Sequence, residues 1–140
     1  MHTEGFLAPE TTEAAREKYD AMGPAAQTVV REVTKRMDFD REEYADRVTG
    51  DVVETARDAL FASLLRVHVG TDEEFESWCD SHPEYERHVE GSDNVEHVVW
   101  HAVDHDSSVV AATFQKQEDA AVATLRRIAF GRFYRPALEG

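Results

Sequence analysis

Histidines are concentrated in one part of the chain and are the first candidates for chemistry. Five of the seven lie between residues 82 and 105, and His97, His101 and His105 recur at intervals of four. On a helix this spacing would place all three rings on one face, where they could bind a zinc ion. On a strand, His97 and His101 would share a face but stand about 13 Å apart, too far to bind one metal.

The composition around these histidines favours a strand. Valines and a tryptophan at 95–103 are typical of β-structure, and a second valine-rich run follows at 108–114. We therefore expect no bound metal and no other cofactor. His97 and His101, with His68 from an earlier segment, would then line a shallow groove for a ligand or a partner. A partly solvated sheet face without a function explains the same pattern.

The alternation of side chains along this strand also predicts its core. Val98, Trp100 and Ala102 would point to one side, and this apolar face is the expected core face. His97, Val99 and His101 would form the half-polar face.

Arginines make the C-terminal segment the most basic part of the sequence. Arg126, Arg127, Arg132 and Arg135 alternate with aromatic residues, as in surfaces that contact RNA. On an ideal helix, with residue 125 at zero, they fall near about 100°, 200°, 340° and 280°, so they surround the helix. Because the chain also has 29 Asp and Glu residues, ion pairs within the protein are the simpler prediction, and we expect no nucleic-acid partner.

Familiar catalytic motifs are absent from the sequence. The seven glycines stand too far apart for a dinucleotide-binding or phosphate-binding loop, and no serine occupies a G-x-S-x-G elbow. Cys79, the only cysteine, lies on an apolar helical stripe and is expected to be a buried packing residue. The absence of these glycine-rich loops excludes the common nucleotide-binding enzymes.

The charge of the chain predicts its solvent. Asp and Glu number 29 against 15 Lys and Arg, for a net charge of −14, and lysine is scarce among the basic residues. Such a charge causes self-repulsion in dilute buffer, whereas molar salt shortens the Debye length to about 3 Å and screens it. We therefore expect a halophilic protein. No apolar run approaches the roughly 20 residues of a membrane helix, so we expect a cytoplasmic protein with no membrane partner.

Apolar spacing and capping residues predict the elements that must position these side chains. They give helices at 9–22, 24–37, 40–50, 51–67, 71–82 and 118–134, and strands at 85–89, 95–103 and 108–114. A short strand near residue 67 is also possible, and residues 1–9 are expected to be a flexible lead-in. The predicted fold class is α+β: N-terminal helices, a small mostly antiparallel sheet and a closing C-terminal helix in one domain, 1–140.

Several stretches resemble an uncharacterised family of haloarchaeal proteins, known as a domain of unknown function. The resemblance is carried by residues 23–27, 38–44, 55–65, 98–101, 111–114 and 124–132, which span most of the chain. It implies a salt-rich habitat and assigns no role to any residue.

Together these observations predict a non-enzymatic interaction or regulatory protein that works through a protein surface, with a protein partner or a homodimer. Two alternatives stay open. One is a small-molecule or metal-dependent enzyme that uses the histidine-lined face, and the other is an RNA-associated factor that uses the arginine-rich C-terminal helix.

Overall fold

Five strands form one open sheet, and helices cover both of its faces. The computed structural model describes residues 1–37, 40–47, 49–92 and 95–139, without the side chains of residues 46 and 47. In chain order the elements are β1 (His2–Glu4), α1 (Thr12–Ala21), α2 (Gly23–Arg36), α3 (Arg41–Arg47), α4 (Gly50–Leu64), β2 (Val67–Thr71), α5 (Asp72–Ser81), β3 (Glu86–Glu90), β4 (His97–Val103), β5 (Ser108–Phe114), α6 (Glu118–Ala129) and α7 (Arg135–Glu139). The predicted α+β fold is confirmed. Residue 48 of the predicted helix at 40–50 lies outside the described residues.

The sheet is mostly antiparallel, with strand order β1-β2-β4-β5-β3. Only β3 runs parallel to its neighbour, β5. The β4–β5 hairpin is the predicted one, and its register places His101 opposite Val110. Its loop is a short 3₁₀ turn, Asp104–Asp106, followed by Ser107 at φ 49°. This hairpin forms the centre of the sheet and holds the histidine-bearing strand.

The first residues, expected to be a flexible lead-in, contain strand β1. Strand β1 pairs with β2 from His2 to Glu4, and Leu7 is buried with 4 % of its surface exposed. Gly5 allows the turn between them, since its φ of +81° is a conformation that side chains disfavour. The apolar contact of Leu7 with the core and the ladder to β2 together order this segment.

Local capping residues explain where several helices begin. The hydroxyl of Thr71 accepts from the backbone N–H of Glu74, whose carboxylate accepts in return from the backbone N–H of Thr71. This is the capping box that the sequence predicts for α5. Helix α4 begins one residue earlier than predicted, after Thr49, whose hydroxyl accepts from the backbone N–H of Val52.

The larger part of the core lies on the face of β4 that the sequence marks as half-polar. Val99 and Val103 pack there with Val67 and Val69 of β2 and with residues of α1, α4 and α6. The expected core face, with Val98 and Trp100, packs in a smaller cluster against α5. Both faces are therefore covered, because helices lie on each side of the sheet, and the expectation of one solvated face is wrong.

The closing helix contains a π-helical segment. After α6, residues Phe130–Tyr134 form one turn of π-helix before α7 begins. Phe130 and Tyr134 are buried against Phe61 of α4. Among the described residues, no helix combines the length and apolarity needed to cross a bilayer.

Candidate binding sites

Of the three histidines predicted as a surface, His97 lies apart from the other two. His97 and His101 lie on one face of β4, as predicted, but His97 stacks on Phe114 with ring centroids 5.3 Å apart, at the far end of the strand. His68 lies opposite Trp100 in the β2–β4 ladder, which places its side chain on the other face of the sheet. Its ring stacks on that of Trp100 at 5.4 Å.

His101 is a fully bonded core residue. Only 1 % of its surface is exposed, its Nδ1 lies 2.6 Å from the carbonyl oxygen of Arg66, and its Nε2 lies 2.6 Å from the hydroxyl of Tyr134. Because a carbonyl can only accept, Nδ1 carries the proton and Nε2 accepts from Tyr134. Burial lowers the pKa of His101 to about 4, so the ring is neutral near neutral pH.

Where the β2–β4 ladder ends, a second group of side chains forms a pocket of about 260 Å³, which we call the histidine pocket. Both His68 and His101 reach it, together with four residues that sequence analysis missed: Trp78, His82, Tyr85 and Asp104. The ring of His82 stacks on Trp78 at 4.0 Å, and the hydroxyl of Tyr85 donates to Asp104 at 2.7 Å. These four come from α5 and the loops that follow α5 and β4. The helical spacing of four links Trp78 to His82, but no spacing links this pair to Asp104.

Burial also affects the remaining nucleophile and base candidates near this pocket. The pKa of His68 is lowered, first by burial and then by the nearby charge of Arg66. The pKa of the Cys79 thiol is raised, mainly by burial against the apolar cluster under α5. Cys79 is therefore the packing residue that its position on the helical stripe predicts.

One set of metal-type donors comes together among the described residues, and it does not include the predicted histidines. His2, Glu4 and Glu118 bring ligand atoms within 4.8 Å of one another. His2 lies 3.6 Å from Glu4 and 3.4 Å from Glu118, and all three side chains are partly exposed. The first contact lies within β1, and the second joins β1 to the first turn of α6.

Three of the four predicted arginines line one groove between α4 and α6, with a volume of about 550 Å³. We call this the arginine groove. Arg126, Arg127 and Arg135 lie along it. The small or apolar part of its walls is formed by Ala59 and Ala62 of α4 and by Ala123, Phe130 and Gly131 of the closing helix. The carboxylate of Asp58 and the hydroxyls of Thr55 and Ser63 also line the groove.

The π-helical turn explains why an ideal helical wheel fails here. Hydrogen bonds from i to i+5 advance each residue by roughly 80° instead of 100° around the axis. Over the five residues Phe130–Tyr134 the lag is roughly 90°, which moves Arg135 from about 280° to about 190°, beside Arg127 at about 200°. The prediction that the four charges surround the helix is therefore wrong for these two.

The arginines differ in how they are partnered. Arg132, outside the groove, forms an ion pair of 2.9 Å with Glu90 of β3. Within the groove, the Nε of Arg126 donates to the carbonyl of Leu65 at 3.1 Å, and Arg135 lies 3.5 Å from Asp58. The side chain of Arg127 is exposed and forms no ion pair or hydrogen bond in the described part of the chain. The predicted internal pairing thus applies to Arg132 and Arg135.

Comparison with known proteins places the chain in a family without assigning an activity. No curated protein and no solved structure matches the chain. A family of unknown function, DUF5809, matches residues 6–135, which is nearly the whole sequence. The chain therefore belongs to the DUF5809 family.

Proposed function

We propose that this protein is a non-enzymatic interaction or regulatory protein that binds a small amphipathic anion in the arginine groove. The observation that carries the proposal is the meeting of Arg126, Arg127 and Arg135 on one apolar groove of about 550 Å³. The ligand chemistry is a carboxylate or phosphate attached to an apolar body.

The charges favour an anion at this place. In a chain of net charge −14, three guanidinium groups on one groove form a local basic surface. Arg127 is exposed and lacks a carboxylate partner among the described residues, and the Arg135–Asp58 pair at 3.5 Å is partly exposed. Guanidinium groups bind carboxylates and phosphates with paired hydrogen bonds, which persist at close range in high salt.

The walls favour an apolar body behind the charged group. Ala59, Ala62, Ala123 and Gly131 keep the groove open because their side chains are small, and Phe130 forms part of the floor. A Cβ built at Gly131 meets no atom within 4 Å. The volume lies within the range of about 300–1,000 Å³ that is usual for small-molecule sites.

The hydroxyls in the groove favour binding over catalysis. Thr55 donates to the carbonyl of Asp51 at 2.9 Å, and Ser63 donates to the carbonyl of Leu60 at 2.8 Å. Each hydroxyl is thus engaged with its own helix rather than with a base that would activate it. The groove offers charge and apolar surface, and these are the requirements of recognition.

The enzyme alternative would have to use the histidine pocket. Two observations favour a binding protein instead: His101 has both ring nitrogens engaged there, and His97 lies apart from it. The RNA alternative is less favoured because Arg132 is engaged in an ion pair with Glu90. The remaining three arginines lie on one groove of limited size, which suits one small anion better than a polyanion.

The test is calorimetric titration at molar KCl with octyl phosphate and octanoate. Inorganic phosphate serves as the probe without an apolar body, and a single-stranded RNA oligonucleotide represents a polyanion. We expect the two amphipathic probes to bind, with an affinity at least about tenfold lower for Arg127→Gln, which removes a charge-assisted contact. Ala123→Phe, which fills the groove, should abolish binding.

Arg132→Gln is the matched control, because it removes a guanidinium from the same helix but outside the groove. It should bind the probes like the unaltered chain. Absence of binding by both amphipathic probes would overturn the proposal, as would an equal loss in Arg132→Gln. RNA binding in preference to the small probes would favour the RNA-associated alternative.

A salt-rich cytoplasm remains the proposed setting for this function. It is supported by the net charge of −14 and by the scarcity of lysine. The dependence of stability on salt tests it.

A further inference from the structure

Helix α2 carries an uncovered apolar stripe beside its buried one. Ala26, Val30 and Thr34 are buried, and most of the contacts of α2 are with α4. Val29, Val33 and Met37 are exposed to 43 %, 53 % and 58 %. Their spacing of four residues places them in one row along the helix.

The exposed apolar side chains are concentrated in this part of the molecule. Of the eight large hydrophobic residues exposed in the described part of the chain, five lie between residues 29 and 52, including Tyr44 of α3 and Val52 of α4. Three of these five form the stripe on α2. A standard interface buries about 800 Å² per partner, a little over half of it apolar, so the stripe would form the apolar centre of an interface that its polar flanks complete.

The charge of α2 makes it a favourable place for a second acidic copy to approach. The helix has Arg31, Lys35 and Arg36 against one acidic residue, Glu32, in a chain of net charge −14. Glu32 lies 3.2 Å from Lys35 of the same helix. A basic helix is attracted to the overall negative charge of a second copy, and molar salt screens the repulsion between the like charges of the two helices.

We propose that a second copy of this chain covers the stripe, with the two α2 helices packed antiparallel across a twofold axis at Val33. In this register Val29 faces the partner subunit's Met37, and by symmetry Met37 faces the partner subunit's Val29. Glu32 then lies within one helical turn of the partner subunit's Arg36, twice by symmetry. A twofold contact uses the same surface of both copies, so that surface must complement itself. This row of apolar residues, flanked by charges of both signs, is self-complementary in the antiparallel register.

The test is sedimentation velocity over a range of protein concentrations in molar KCl. We expect a concentration-dependent dimer. Val33→Glu would place two carboxylates at the centre of the interface and should raise the dimer dissociation constant at least about 100-fold. The matched control is Val89→Glu, since Val89 is 45 % exposed on the edge strand β3. It should leave the dimer intact.

Charge reversal tests the register of the two helices. Glu32→Arg and Arg36→Glu should each weaken the dimer by placing like charges together, and the double variant should restore it. Circular dichroism of each variant checks that the monomer is folded.

A monomer at every concentration would overturn the proposal. A dimer that survives Val33→Glu, or one that is lost in Val89→Glu, would place the contact elsewhere and overturn it as well. Failure to restore the dimer in the double reversal would refute the antiparallel register. None of these variants alters a residue of the arginine groove, so ligand binding and dimerisation can fail independently.

Discussion

The buried His101 should make the stability of the fold depend on pH in the mildly acidic range. Burial lowers the pKa of this imidazole from its ordinary value of 6.5 to about 4. Between these values the unfolded chain binds a proton that the folded chain does not. The neutral imidazole therefore makes its full contribution to the unfolding free energy above about pH 6.5. The unfolding free energy then falls by about 3 kcal/mol as the pH falls to about 4.

His101→Gln isolates this contribution. Glutamine has a donor for the Arg66 carbonyl and an acceptor for Tyr134, but it does not titrate. At about pH 7.5 we expect the variant to be less stable by about 1–3 kcal/mol, because its hydrogen bonds are less well placed than those of the imidazole. The difference should shrink steadily below about pH 6.5. At about pH 4 the difference in unfolding free energy should have shifted by about 3 kcal/mol in favour of the variant. The reason is that only the unaltered chain loses stability by keeping a histidine unprotonated in its folded state.

The assay is urea unfolding at constant molar KCl and at several pH values, followed by the fluorescence of Trp78 and Trp100. Contributions from the many carboxylates are common to both chains and cancel in the difference. Tyr134→Phe is the control, since it removes the hydroxyl that donates to Nε2 and keeps the imidazole. It should cost about 1–2 kcal/mol and retain the acid dependence. Parallel pH profiles for the unaltered chain and His101→Gln would refute the reasoning.

Four further predictions concern the solvent and the fold. The unfolding free energy should be higher in molar KCl than at about 0.1 M, because salt screens the charge of −14, and the absence of a gain would contradict a halophilic protein. Gly5→Ala should cost more than about 1 kcal/mol in urea unfolding, because its Cβ would lie 2.5 Å from the carbonyl oxygen of Leu65 at a φ of +81°. Thr71→Ala should cost about 1 kcal/mol by the same measurement, through loss of the α5 capping box, whereas no loss would mean that the cap is not needed. The Cys79 thiol should react with a thiol reagent at least about 100-fold faster in urea than in the native state, and rapid native labelling would show that it is accessible.

Much of the fold follows from local sequence patterns. The valine-rich runs of β4 and β5, with a polar four-residue loop between them, are sufficient to predict the central hairpin. Apolar rows at helical spacing predict the helices, and the Thr71–Glu74 pair predicts the start of α5. These features depend on interactions between residues close in sequence, which the chain alone specifies.

The candidate sites depend on contacts that cross the chain. Trp78, His82 and Tyr85 join His101 only because α5 and the loop after it pack at the end of the β2–β4 ladder. Arg127 and Arg135 share a groove because a π-helical turn shifts the phase of the closing helix. Helical spacing assumes a constant turn, so it cannot predict this shift.

The sequence by itself determines the order of helices and strands, the strand character of the histidine segment and the acidic surface, because each follows from neighbouring residues or from composition. Tertiary structure alone decides that the half-polar face of β4 is the larger core and that His101 is neutral within it. It also decides that Arg126, Arg127 and Arg135 line one groove. The physical reason is that burial, pKa and the grouping of charges depend on which distant elements pack together.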